Sequence, residues 1–91
     1  MRAQVLRSFD GPDGLSLEDV PSPLIEREDD VLLEIDACGV CHRDITYSRG
    51  RFGGGALPTV LGHEGAGRVL QAGGAVDDLR PGGRVGHLQF P

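Results

Sequence analysis

The sequence predicts a mostly β fold with one short helix, and three observations lead there. Fifteen glycines and six prolines interrupt the 91 residues every few positions, which suits short strands joined by tight turns. Residues 31 to 38, VLLEIDAC, alternate apolar and polar side chains over most of their length, the period of a strand. Residues 41 to 48, CHRDITYS, contain no Gly or Pro and make about two helical turns.

The first strand is expected over residues 2 to 9, where Val5 and Phe9 favour β structure, and it stops at the hairpin-type turn Asp10-Gly11-Pro12-Asp13-Gly14. Leu15 to Val20 opens with apolar and polar residues in alternation, so a strand with one buried face is expected there. Pro21 and Pro23 remove backbone donors and Glu26 to Asp30 is nearly all charged, which makes residues 21 to 30 a connection.

Residues 31 to 38 form the strongest predicted strand, with Val31, Leu33, Ile35 and Ala37 on one face and Glu34 and Asp36 on the other. The helix follows, ended by Gly50 and the run Gly53-Gly54-Gly55. Residues 51 to 59 read as a loop, and Gly62 to Gly67 as a glycine-shaped turn that aims His63. Strands are then expected at 68 to 72 and 84 to 90, separated by turns at Gly73-Gly74, Asp77-Asp78 and Pro81-Gly82-Gly83.

Composition excludes several functions. Fourteen acidic against nine basic residues give a net charge of −5, which argues against nucleic acid or an anionic membrane as partner, since both call for a basic face. Aromatic residues are 4% of the chain, only Phe9, Tyr47, Phe52 and Phe90, too few to stack on bases or sugars. No run reaches the ~18 apolar residues of a membrane helix, and the start MRAQVLRSFDG lacks the apolar core of a signal peptide. A cytoplasmic location is expected.

Cys38 and Cys41 are too few and too close for a disulfide framework, so metal or redox chemistry is the better reading. Zinc prefers thiolate and imidazole, and a catalytic site takes three protein ligands with one position open. Cys41 at the start of the helix and His63, 22 residues on, are two ligands of that type. Taken alone such a pair is a weak signal, because buried cysteines are common without metal.

The flanking residues strengthen it. CGVCHRD at 38 to 44 followed by GHEGAGRV at 62 to 69 resembles the pattern of zinc-dependent medium-chain alcohol dehydrogenases. The resemblance also takes in the opening strand, the proline-containing connection, LPTVLGHEGAGRV and the Pro-Gly-x-Arg-Val turn at 81 to 85, so it covers nearly the whole chain.

It implies that residues 1 to 91 form an incomplete amino-terminal GroES-like domain, a partial GroES-like β-barrel with one short helix, without the Rossmann domain of the family. By the same resemblance Cys41 and His63 bind the catalytic zinc and Glu64 is an alternate ligand. Asp44 holds first ligands in orientation, as carboxylates around metals commonly do. His42 lies near the pyrophosphate of the NAD or NADP cofactor. The implied substrate is a small-molecule alcohol or aldehyde, from which hydride passes to the nicotinamide.

Two departures qualify the expectation. Many relatives carry Ser or Thr two residues after the zinc cysteine to start a proton relay, whereas Arg43 stands here and has no hydroxyl to offer. The third zinc ligand and the G-x-G-x-x-G fingerprint are absent from these 91 residues. The chain on its own is therefore expected to be inactive, with exposed strand edges open to association. The alternatives are a metal or redox module built on Cys38-x-x-Cys41 with His42, and a non-catalytic interaction domain of GroES-like shape.

Overall fold

A computed structural model describes residues 1–52 and 55–87. In chain order the elements are β1 (Arg2–Leu6), a 3-10 turn (Gly11–Gly14), β2 (Leu15–Asp19), β3 (Val31–Gly39), α1 (His42–Ser48), β4 (Thr59–Val60), β5 (Glu64–Ala72) and β6 (Arg84–Gly86). The mostly β class with one α-helix among the described residues agrees with the expectation. Among those residues no helix is long and apolar enough to cross a membrane. The chain divides into two compact units, one of residues 1–21 and 40–62, the other of residues 22–39 and 63–91.

In the first unit β1 is the middle strand of a three-stranded antiparallel sheet, ordered β2-β1-β4. Its central position explains its burial: Ala3, Val5 and Leu6 are 9%, 4% and 0% exposed. The strand ends at Leu6, not at Phe9, because the 3-10 turn needs the intervening residues. There the Arg7 N–H donates to Gly14 O at 2.9 Å, and Gly14 has no room for a Cβ against Ser8 O.

Two expectations fail in this unit. Leu15 and Leu17 of β2 are 37% and 53% exposed, so the alternation there does not mark a buried face; β2 lies on the sheet edge. Residues 59 and 60, placed in or beside a loop, form β4 and pair with Leu6 and Val5. A two-residue strand carries no periodicity to read.

In the second unit β5 lies between β3 and β6, again antiparallel. Val69 at its centre is 1% exposed. Glu34 and Asp36 share one face as expected, both meeting the Arg68 guanidinium, at 3.1 and 3.4 Å. The opposite face is less regular than the alternation implies. The register shifts between Leu32 and Leu33 and between Ile35 and Ala37, and Ile35 is half exposed. Bulges of this kind put an extra residue on one strand and break strict alternation.

The main correction concerns residues 64 to 67. Of Gly62, Gly65 and Gly67, only Gly62, at φ +124°, has a backbone that favours glycine for a turn. Gly65 and Gly67 lie inside β5, paired with Cys38 and Ile35. A Cβ on Gly67 would run into Glu34 O, so this glycine is there for close strand approach. The last strand covers Arg84–Gly86; residues 88 to 90 of the predicted strand, and Gly53 and Gly54 of the glycine run, lie outside the described residues.

Candidate metal and cofactor site

Cys41 occupies the position just before α1, with extended backbone at φ −115° and ψ 175°. It is thus the N-cap of the helix and not its first residue. Its N–H donates to Asp44 Oδ2 at 3.0 Å, and the Asp44 N–H donates back to Cys41 O at 3.1 Å. A carboxylate in the first turn satisfies a backbone donor that the helix leaves over, and its charge suits the positive end of the helix dipole.

The Cys41 sulfur and an Asp44 carboxylate oxygen lie within 4.8 Å of each other, and both residues are half-buried. Through its bond to the Cys41 N–H, Asp44 holds the backbone at the start of this helix.

His42 is the first helical residue and is exposed, and its carbonyl accepts the Thr46 hydroxyl at 3.0 Å. That bond ties Thr46 to the helix backbone. Arg43 is exposed, with its guanidinium 4.9 Å from the Phe52 ring centre, a cation–π contact. Tyr47 lies edge-on to Phe9 at 6.3 Å and tilted against Phe52 at 6.2 Å. A small aromatic group thus braces the face of α1 that carries Tyr47.

In the second unit His63 is half-buried and directly precedes β5, after the positive-φ Gly62. Glu64 is the first residue of β5 and pairs with Gly39, the last of β3. Cys38, near the end of β3, is exposed, and its thiol donates to Gly39 O at 3.6 Å. Reading the sequence did not single out His87. Its N–H donates to Gly65 O at 2.9 Å, and its Nδ1 accepts the Gly65 N–H at 3.3 Å. A histidine four residues past a Pro-Gly-Gly turn carries no pattern that would announce this role.

A thiol, an imidazole and a carboxylate are the donor types that zinc takes, so Cys41, His63 and Glu64 fit that ion by chemistry. Comparison with known proteins gives the family. Residues 27–90 match the family model described as the alcohol dehydrogenase GroES-like domain. The chain belongs to this family.

The alcohol dehydrogenase GroES-like match includes Cys41, His42, Asp44, His63 and Glu64. An NAD-dependent alcohol dehydrogenase of Sulfurisphaera tokodaii is 43% identical over 84 residues, 84% of this chain and 23% of that protein. A sorbitol dehydrogenase of Bombyx mori is 42% identical over 78 residues, 82% of this chain and 22% of that protein.

Among solved structures, zinc dependent alcohol dehydrogenase 2 from Streptococcus pneumonia, in its apo form, is similar with a TM-score of 0.84 and 28% identity. That match covers 94% of this chain and 24% of that one. The chain spans about a quarter of the length of the curated relatives it matches.

Proposed function

We propose that this GroES-like chain supplies the zinc-binding part of an NAD(P)-linked alcohol dehydrogenase, acting on a small alcohol, sugar alcohol or aldehyde. The observation that carries the reading is the family match over 27–90, which includes the thiol and imidazole donors at 41 and 63. In this reading Cys41 and His63 hold the metal, Glu64 is an alternate carboxylate ligand, and His42 contacts the pyrophosphate of the cofactor. The names of the relatives support a nicotinamide cofactor and alcohol or polyol substrates.

When bound, zinc supplies Lewis acidity to an alcohol oxygen and so favours its ionised form. The chain's own residues set up that chemistry. Cys41 binds as thiolate, contributing negative charge, and His63 binds as the neutral imidazole. Asp44 fixes the backbone of Cys41 through the 3.0 Å bond to its N–H, so the sulfur is presented from a capped helix start.

Proton release has to bypass position 43, since Arg43 stacks on Phe52 and has no hydroxyl to pass a proton on. His42, exposed beside it, carries ring nitrogens that can accept and donate hydrogen bonds on another route. The edge strands β2 and β4 of one sheet, and β3 and β6 of the other, are the places where a further strand would pair.

The test is zinc content of the purified chain beside Cys41→Ala and His63→Ala, with circular dichroism to show that each variant folds. Both substitutions are expected to abolish stoichiometric zinc. Equal zinc in all three proteins would remove these residues from the site.

A further inference from the structure

Gly39 has an unexplained identity. Its φ is not in the left-handed region, so its backbone conformation is open to any residue. It ends β3 opposite Glu64, the first residue of β5, and paired residues of an antiparallel ladder project their side chains on the same face. What fills the space beside Gly39 is the Glu64 side chain. A Cβ at position 39 would stand 2.7 Å from Glu64 Oε2, 3.3 Å from its Cβ and 3.4 Å from its Cδ.

The Glu64 side chain therefore folds back over the Cα of Gly39, with its carboxylate where a methyl group would have to sit. We infer that Gly39 is a positioning residue for Glu64: by lacking a side chain it lets the carboxylate lie flat across the end of β3 and fixes its direction. The neighbouring residue pairs show how specific this is. Cys38 faces Gly65 across the same ladder, so at that rung the small residue is on β5 instead of β3.

A methyl at 39 meets first the free end of a flexible side chain, so the carboxylate is displaced, while the 3.3 Å approach to Glu64 Cβ asks the paired strand ends to give by a few tenths of an ångström. The inference rests on the reading of Glu64 as an alternate zinc ligand only for its consequence; the packing of Glu64 on Gly39 stands without it.

The experiment uses the full chain with Gly39→Ala, Glu64→Ala and the double variant, checked for fold by circular dichroism. Two quantities are read. In the metal-free protein, the 13C shift of the Glu64 side-chain carboxyl is expected to move on Gly39→Ala, since the group leaves its present surroundings; an unmoved shift would overturn the inference.

In the zinc-loaded protein, release of zinc to a chelator is expected to change about tenfold on Gly39→Ala, the scale of groups that orient metal ligands. In the Glu64→Ala background the same substitution is expected to change it less than about twofold, because the residue it acts through is gone. An equal change in both backgrounds would mean that Gly39 acts on the strand and not through Glu64. Failure of the zinc reading is told apart by Cys41→Ala and His63→Ala: unchanged zinc in those variants rejects the ligands, while the carboxyl shift still decides the role of Gly39.

Discussion

The Cys41 N–H donates to the Asp44 carboxylate at 3.0 Å while the Asp44 N–H returns to Cys41 O at 3.1 Å. This closed exchange joins the candidate zinc ligand to the third residue of a helix only seven residues long. So short a helix has little stability of its own and depends on its ends and its packing.

Asp44→Ala is accordingly expected to destabilise the chain by about 1 kcal/mol, the usual scale of a lost cap. Asp44→Asn, which keeps an oxygen acceptor, is expected to lose less. Urea unfolding followed by circular dichroism measures both, and an Ala variant as stable as the parent would mean that the cap contributes nothing.

Gly67 and Gly74 make a matched pair. A Cβ at 67 would run into Glu34 O of the paired strand, while one at 74 meets nothing within 4 Å and the backbone there has no positive φ. Gly67→Ala is expected to cost about 2 kcal/mol or more, since a backbone oxygen cannot step aside without opening the β3–β5 ladder. Gly74→Ala is expected to be neutral or to stabilise by up to about 1 kcal/mol, through a less flexible unfolded chain. Thermal unfolding of the two variants side by side tests the contrast.

Asp30 predicts a pH dependence. The N–H groups of Arg27 and Glu26 donate to its Oδ2 at 2.9 and 3.0 Å, and they hold its carboxyl below the usual range. A lowered folded-state pKa means that the unfolded state takes up the proton first. The contribution is thus fully present above the ordinary aspartate value of about 4 and is lost as pH falls through the lower folded value. Asp30→Asn is expected to be less stable than the parent near pH 7, with the gap narrowing towards about pH 2. Urea midpoints across that range measure it; a gap that stays constant would show that the bonds do not favour the ionised form.

The parts of the fold that could be read from the residues were those with a local cause. Val31 to Gly39 has alternation over enough residues to declare a strand, and Cys41 to Ser48 has the length and the following glycine of a helix. The acceptor at Asp44, three residues past Cys41, was visible as a spacing though its bond was not. Misreadings fell where a local signal has two causes. Gly65 and Gly67 read as turn glycines and are strand glycines, and Leu15 and Leu17 alternate as a buried face would and are exposed.

By itself the sequence determined the chemistry on offer: a thiol at 41, imidazoles at 42 and 63, carboxylates at 44 and 64, in an order and spacing that point to a zinc-binding family. Those are properties of covalent identity and near neighbours, which the chain carries before it folds. Tertiary structure alone decided that GHEGAG enters a strand at Glu64, that β3 approaches Gly67 closely, and that the Glu64 carboxylate lies across Gly39. Each depends on a backbone brought in from about 25 to 35 residues away, and a glycine that makes room for such a neighbour has the same letter as one that makes a turn.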